Sequence, residues 1–392
     1  MSPVARSRPA ALAFAVPALG SALVMASASA PSPFYPALQA GIGFSPVALT
    51  GIFAIYTITL LATLLVTGSV SDHLGRRPVL SAGFALLAVF AVLFAQADTV
   101  AGLVAARALQ GVACGLLISA LSAAMLDLEP PAAPGLAAIC NAILPLAGLA
   151  LGALLAGAAI DLWGPARAGV FDGLAMVSAL FAVGVWALPE TAPRHAGLAR
   201  ALQPRVRVPE AARQAFWRTA PALFSSWATG GLYLSLGASI AAHVFGLSRG
   251  IEQGAVVTLL AGMGALACFL ARHRPAPATL RLGTRVLAAG TALTLAGLGL
   301  GSVGLYLAAL AVAGAGFGAT FYGGLRTIAP LAPPQERGEL FAAVYTICYL
   351  AFGVPVVIAG MMVPLLGLIG ATWAYGTVIL CTALAASVLN RR

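Results

Sequence analysis

Residues 68–80 read GSVSDHLGRRPVL, a short charged turn between two long apolar runs. The turn brings Asp72, His73, Arg76 and Arg77 close together in the chain. Charged side chains grouped in this way are too costly to place in the hydrocarbon of a bilayer. We therefore predict that the turn lies at a membrane surface and that the two apolar runs beside it cross the membrane.

The composition of the whole chain agrees with a membrane location. Of the 392 residues, 61% are hydrophobic and 8% are charged, whereas soluble domains carry about 25% charged residues. The apolar runs have the length of about 20 residues that a helix needs to cross a bilayer. They do not alternate with a period of two residues, which excludes a transmembrane β-barrel. The sequence predicts an all-α membrane protein.

Twelve apolar runs are separated by turn residues, and each is predicted to be a transmembrane helix. They comprise residues 11–30, 46–69, 79–96, 100–126, 135–160, 168–188, 219–245, 254–271, 284–300, 303–325, 338–363 and 366–389. The long Pro- and Arg-rich segment 189–218 divides them six and six. We predict an N-terminal six-helix bundle over residues 1–188, a cytoplasmic linker over 189–218 and a C-terminal six-helix bundle over 219–392.

The arginines orient the chain in the membrane. All 21 basic residues are Arg, and most stand in short loops at every second apolar run. The loops on the other side hold Arg167 and Arg249. Because cytoplasmic loops are enriched in basic residues, we predict that both termini are cytoplasmic and that the protein is a multi-pass protein of the inner cell membrane. This distribution also argues against nucleic-acid binding.

The two halves of the chain resemble each other at a constant offset of 203 residues. This offset places Gly135 on Gly338, Gly157 on Gly360 and Gly164 on Gly367. Since each copy holds six spans, the copies share one orientation and are related by a pseudo-twofold axis along the membrane normal. This is the parallel-repeat arrangement of one large class of transporters, with the substrate path between the halves.

Three motifs carry a resemblance to a known family. Residues 68–80 fit G-x-x-x-D-x-x-G-R-R/K, residues 107–111 (RALQG) fit R-x-x-Q-G, and residues 188–191 read LPET. The chain resembles a transporter of the major facilitator superfamily, in its twelve-span drug and proton antiporter branch. Residues 144–148 (LPLAG) match that branch's span 5 motif in part, because Leu144 stands where a glycine is expected.

The resemblance implies a conformational latch at Asp72, Gly75, Arg76 and Arg77. Independently, the start of span 11 near Gly338 is a helix N-terminus, whose partial positive charge attracts an aspartate. We predict that Asp72 docks there and joins the two halves on the inner side, with Arg76 tuning the contact. The resemblance implies that this contact stabilises the outward-open state.

A second set of residues is predicted to couple transport to protons. Arg107 lies inside span 4, where a charged residue indicates function, and the resemblance assigns Arg107 and Gln110 to proton coupling. The alternative is that Arg107 extends to the outer membrane interface and has no functional role. The spans that line the path have no central carboxylate, so Asp161 at the outer end of span 5 is the candidate titrating group.

The candidate substrate cavity is lined mainly by neutral polar and aromatic side chains in the middle of the spans. These are Ser21, Met25, Tyr56, Asn141, Ser225, Trp227, Tyr233, Phe321, Tyr322, Tyr345 and Tyr349. Asn141 has an equal interpretation as a hydrogen-bonding group between helices. A cavity of this kind favours a small neutral, amphipathic or weakly cationic compound over a multiply charged one.

We therefore predict an alternating-access secondary transporter, a proton-driven exporter of small organic compounds that acts as a monomer. A proton-coupled or facilitative importer of a neutral metabolite is a first alternative, and a non-transporting membrane receptor with the same fold is a second. The sequence has no metal-binding cluster and no nucleotide-binding loop, so neither a cofactor nor an enzymatic activity is expected.

Overall fold

The structure, a computed structural model, describes residues 3–164, 167–192 and 197–390. Over these residues the chain is helical, with short connections and no strands. Three arginines that the charge pattern assigns to the inner side, Arg194, Arg391 and Arg392, lie outside the described residues.

The described residues form twelve long helices, which we number α1 to α12 in chain order. The first six are α1 (Pro3–Ser29), α2 (Pro46–Thr67), α3 (Arg76–Gln96), α4 (Val100–Asp127), α5 (Leu136–Trp163) and α6 (Arg167–Gly184). The next four are α7 (Glu210–His243), α8 (Gly250–Ala271), α9 (Ala276–Gly299) and α10 (Val303–Ile328). The last helical stretch, Arg337–Leu389, breaks at Gly367, where the backbone has φ 70° and ψ 170°. Residues 337–366 form α11, and residues 368–389 form α12.

Ten helical stretches among the described residues are long and apolar enough to span a membrane, with Arg337–Leu389 counted once although it holds two helices. The helix α7 is not among the ten; it carries a run of polar side chains that includes Ser225, Ser226 and Thr229. With α7 added and the last stretch divided at Gly367, the helices number twelve. The predicted fold class is confirmed.

The internal repeat is visible in the backbone. The offset of 203 residues carries α2 onto α8 and α4 onto α10 to within a few residues at each end. The two glycines that it aligns at the turn after the fifth helix of each half have the same unusual conformation. Gly164 has φ 80° and ψ 179°, and Gly367 has φ 70° and ψ 170°. A positive φ of this kind is costly for other residues, so both copies use glycine to reverse the chain there.

Each half packs as a bundle, with equivalent helices in equivalent contacts. The helix α4 packs on α2 through Gly111 and Gly115, and α10 packs on α8 through Gly314 and Gly318. The two bundles meet through α2 against α11 and through α5 against α8. These two interfaces are also related by the repeat.

The bundle has two distinct ends. We call the end that carries residues 68–80 and 272–285 the arginine-rich end, and the end that carries Trp163 and Gly250 the arginine-poor end. At the arginine-rich end several helices are longer than the apolar runs predicted. The helix α7 begins at Glu210 rather than at residue 219, and α9 begins at Ala276 rather than at residue 284. Hydropathy locates the hydrocarbon layer, whereas a helix continues into water until a turn residue ends it.

Near the arginine-poor end, prolines interrupt the first span. The helix α1 ends at Ser29, a single 3₁₀ turn covers Ser32–Phe34, and a short helix covers Tyr35–Ile42. Proline removes a backbone donor and clashes with a continuing helix. The chain therefore bends and then continues across the arginine-poor end of the bundle, where Phe34 and Tyr35 are buried.

Candidate functional site

Arg76 organises the arginine-rich end of the first bundle. Its side chain is one-tenth exposed. Its Nε atom donates to Asp127 Oδ2 at 3.0 Å, and its Nη1 atom donates to Ser71 Oγ at 2.6 Å and to Asp72 Oδ1. Asp127 stands at the end of α4, so the guanidinium joins the 68–80 turn to the end of a second transmembrane helix.

The LPET segment closes over the same turn. Glu190 accepts hydrogen bonds from the backbone N–H groups of Arg76 at 2.8 Å and Arg77 at 3.3 Å. These are unpaired donors at the start of α3, where a carboxylate is favoured. Gly75 precedes them with φ 110°, and a Cβ atom there would come within 2.6 Å of Glu190 Oε2. The glycine therefore allows both the turn and the approach of Glu190.

Asp72 lies with Arg76, inside the first bundle. It is half-buried, and the short helix Val70–Leu74 carries it. Its docking on the start of α11 is a prediction about the opposite conformation, since the contacts between bundles described below lie nearer the arginine-poor end.

Arg107 is buried in the interior of the first bundle, with 1% of its surface exposed. This burial excludes the alternative in which the side chain extends to the membrane interface. Its Nη1 donates to Gln110 Oε1, and Gln110 Nε2 donates to the Ser27 carbonyl at 2.7 Å. The guanidinium carbon lies 4.2 Å from the ring centroid of Tyr56. Because Tyr56 is at the middle of α2, the charge lies at the depth of the middle of that helix.

The surroundings of Arg107 are neutral. Among the described residues it makes no ion pair, and its Nε is buried without a hydrogen-bond partner. A guanidinium stays protonated in proteins. An uncompensated buried charge costs on the order of several kcal/mol, and the faces of Tyr56 and Phe53 repay a part of this through cation–π attraction. The first bundle thus holds a costly charge in its interior.

At the arginine-poor end, α5 and α8 approach so closely that their backbones touch. A Cβ on Gly157 would overlap the carbonyl oxygen of Gly250, and a Cβ on Gly254 would overlap that of Ala153. Further toward the middle, Thr258 Oγ1 donates to the Ala150 carbonyl at 3.1 Å. Small residues on both helices make this contact between the bundles possible.

Asp161 caps the second bundle from the first. It lies near the end of α5, and its two carboxylate oxygens accept hydrogen bonds from the backbone N–H groups of Gly250 at 2.6 Å and Ile251 at 3.1 Å. These are the first residues of α8, whose N-terminus carries partial positive charge. Arg249 Nε lies 3.8 Å from the same carboxylate. The contact is a charge-assisted bond between the bundles.

The interface of α2 with α11 closes the same end. A Cβ on Gly360 would overlap the hydroxyl of Thr50, and the rings of Phe53 and Phe352 lie 5.0 Å apart. The contacts of these two helices run from their middle toward the arginine-poor end. Ser32 adds a hydrogen bond of 3.1 Å to the carbonyl of Leu234 in α7. The structure therefore shows the bundles in contact on the arginine-poor side.

Several predicted cavity residues form one aromatic cluster, which we define as Trp227, Phe321, Tyr345, Tyr349 and Phe352. Trp227 lies at its centre, with its ring centroid 5.4 Å from Phe321, 6.5 Å from Tyr345 and 4.8 Å from Tyr349. Phe352 lies 5.8 Å from Trp227 and contacts Phe53 of the first bundle. The cluster thus borders the interface between the bundles.

Other predicted cavity residues lie elsewhere. Tyr233 is buried within the second bundle against Tyr306, and Tyr322 lies below the guanidinium of Arg326. Ser225 is buried and donates to a carbonyl of its own helix. Three further candidates lie on the first bundle: Ser21 is buried, and Met25 and Asn141 are partly exposed.

Two contacts were missed by the sequence reasoning. The capping of α3 by Glu190 was not predicted, although the LPET motif marked the residue. The partner of Asp161 was also missed. Its signal was an aspartate near the end of α5 together with Gly250, a helix start on the same side of the membrane.

Residues 18–354 match the sequence profile of the Major Facilitator Superfamily. The chain belongs to the Major Facilitator Superfamily. Its twelve-helix fold, its parallel repeat and its multiple apolar spans identify it as a multi-pass membrane transporter of this superfamily.

Solved structures of the superfamily share the fold at low sequence identity. A bacterial homologue of the human lysosomal transporter Spinster, solved inward-facing and unoccupied, has a TM-score of 0.75 and 14% identity, with 97% of each chain covered. The human organic anion transporter MFSD10 (TETRAN) has a TM-score of 0.65 and 18% identity, with 96% of this chain and 99% of that chain covered. A POT family transporter in complex with 5-aminolevulinic acid has a TM-score of 0.74 and 14% identity, with 96% and 95% covered.

No curated protein sequence matches this superfamily member. The solved structures, at 14–18% identity, show its fold and do not show its substrate.

Proposed function

We propose that the protein is an alternating-access secondary transporter that exports small neutral or amphipathic organic compounds in exchange for protons. The observation that carries this proposal is the bond from Asp161 to the start of α8. This bond, a few other polar contacts and the packing of small residues join the bundles at one end. An interface of this kind can open and re-form.

The two aspartates at opposite ends fit one cycle. Asp161 holds the arginine-poor end closed in this conformation. Asp72 is proposed to dock on the start of α11 when the arginine-rich end closes. Each places a carboxylate of the first bundle on a helix N-terminus of the second, a contact worth about 0.3–1 kcal/mol, and up to about 2 kcal/mol when partly buried. Contacts of this size shift the equilibrium between the two conformations without making either of them permanent.

Proton coupling is assigned to Arg107, Gln110 and Asp161. Protonation of Asp161 from the outer side would remove the charge that attracts the start of α8, so external acidity would favour the outward-open state in which the compound leaves. Gln110 links Arg107 of α4 to the Ser27 carbonyl of α1. A movement of α1 beside the substrate path can therefore be transmitted to Arg107 in the interior of the first bundle. The positive-inside rule supports cytoplasmic termini in the inner membrane. Because one chain supplies both bundles and the path between them, the protein can work as a monomer.

The test is retention of a fluorescent neutral amphipathic dye, Nile red, by cells that express the protein. In the export mode, the uncoupler CCCP raises dye retention in cells with the wild-type protein and has a smaller effect in cells with Arg107→Ala. Unchanged retention after CCCP would reject proton-driven export of neutral amphipathic compounds. Dye uptake that increases with expression would instead support an importer.

A further inference from the structure

We propose that the transported compound carries one negative charge, such as a carboxylate, and that Arg107 is its counter-ion. This inference rests on the proposed transport function and selects, from the neutral or amphipathic compounds proposed there, the amphipathic organic monoanions. It is carried by the burial of Arg107, its unpartnered Nε and the neutral character of its neighbours.

Arg107 lacks an anionic partner among the described residues. Buried charges in proteins are normally paired with an opposite charge or a metal. Arg107 has an amide oxygen and two aromatic faces instead. The other buried arginine among the described residues, Arg76, is paired with both Asp72 and Asp127. This contrast shows that the fold supplies partners where an arginine is structural.

Arg107 is covered on the side of the second bundle by the rings of Tyr56 and Phe53, with Phe53 at 5.9 Å from the guanidinium carbon. Phe53 in turn contacts Phe352 across the interface between the bundles. This contact breaks when the bundles separate at the arginine-poor end. Only side chains, which change rotamer readily, then separate the guanidinium from a ligand that lies between the bundles.

From Phe352 the aromatic cluster extends to Trp227, Tyr345 and Tyr349. Aromatic faces bind the apolar part of a compound, while a guanidinium binds a carboxylate through two parallel hydrogen bonds. The arrangement therefore selects a compound with an apolar or aromatic body and one anionic group. A single buried guanidinium compensates a single negative charge, which disfavours dianions.

The experiment measures thermal unfolding of the purified protein in detergent with three probes of the same shape: 2-naphthoate, 2-naphthamide and 2-naphthylmethylamine. We expect 2-naphthoate to raise the Tm of the wild-type protein with increasing concentration, as ligand linkage requires, and the amide and the amine to raise it less. Arg107→Gln should lose the preference for the carboxylate. Arg167→Gln is the matched control, because Arg167 bonds to Asp98 and the Ala97 carbonyl away from the path.

A second measurement needs no ligand. If Arg107 awaits an anion, the empty Arg107→Met protein should unfold at the same temperature as the wild type or higher. A clear fall in its Tm would make Arg107 a structural residue and overturn the proposal. Equal shifts by the three probes, or no carboxylate-specific shift, would overturn it as well. In either case the alternating-access transport function would stand, because it rests on the contacts between the bundles.

Discussion

The carboxylate of Asp161 accepts hydrogen bonds from the first two backbone N–H groups of α8, at 2.6 Å from Gly250 N and 3.1 Å from Ile251 N. The two residues belong to different bundles, and their side of the molecule is the side on which the bundles are in contact. The offset of 203 residues places Pro364 at the position equivalent to Asp161. The cap therefore exists at one of the two related interfaces.

Replacing Asp161 with Asn should loosen this end. The amide keeps one acceptor oxygen but loses the charge, and a hydrogen bond to a charged group is worth about 1.5–3 kcal/mol. We expect backbone hydrogen exchange at Gly250 and Ile251 to rise by roughly 5- to 30-fold, which corresponds to a loss of about 1–2 kcal/mol. Mass spectrometry of the peptide around residue 250 measures it. Asp98→Asn is the control, because Asp98 pairs with Arg167 inside the first bundle, and equal exchange in both variants would contradict the cap.

A methyl group on Gly157 should separate α5 from α8. Its Cβ would overlap the carbonyl oxygen of Gly250, and overpacking of this kind costs about 1–3 kcal/mol. We expect Gly157→Ala to lower the Tm of the purified protein. Gly173→Ala provides the comparison, since a Cβ on Gly173 in α6 meets open space and a helical alanine is stabilising. If both variants unfold alike, the α5–α8 contact is looser than the structure shows.

Removing the guanidinium of Arg76 should destabilise the first bundle. Arg76→Met leaves the carboxylates of Asp72 and Asp127 without their partner in a half-buried site. Because both carboxylates are about one-third exposed, we expect a loss of about 1–3 kcal/mol. Thermal unfolding with and without salt measures it, and the exposed Arg205, changed to Met, should have an effect near zero. A wild-type Tm for Arg76→Met would show that the network does not stabilise the fold.

Neutralising Asp72 should slow transport without lowering expression. In the proposed cycle Asp72→Asn removes the charge that docks on the start of α11, so closure of the arginine-rich end becomes less favourable by up to about 2 kcal/mol. Transport assays in cells with matched protein levels measure the rate. Glu210→Gln removes a negative charge from the same end, at the start of α7, and serves as the control. A wild-type rate for Asp72→Asn would remove it from the cycle.

Most of the fold could be predicted from the sequence because a bilayer imposes simple rules. The lengths of the apolar runs predicted the number of helices, and the glycines that recur at an offset of 203 residues predicted the internal repeat. The predicted starts of α7 and α9 lie too late in the chain, because an apolar run marks the part of a helix in the hydrocarbon and not the whole helix.

The contacts of the candidate site could be predicted less well. Asp161 and Gly250 are far apart in the chain, and no local pattern indicates that α5 and α8 meet across the repeat. Tyr233 was assigned to the cavity because it lies mid-span, whereas the structure places it within its own bundle. Position along a helix gives depth in the membrane. The direction of a side chain depends on packing against helices distant in the sequence.

The central claim, that the two bundles alternate between closure at opposite ends, is tested most directly by paired distance measurements with spin labels. Labels at exposed Leu162 and Ser248 report the arginine-poor end, and labels at exposed Leu74 and Gln335 report the arginine-rich end. We predict that Asp161→Asn lengthens the first distance and shortens the second, and that Asp72→Asn shifts both distances in the opposite sense. Distances that stay fixed in both variants, or that change together in the same direction, would contradict the account.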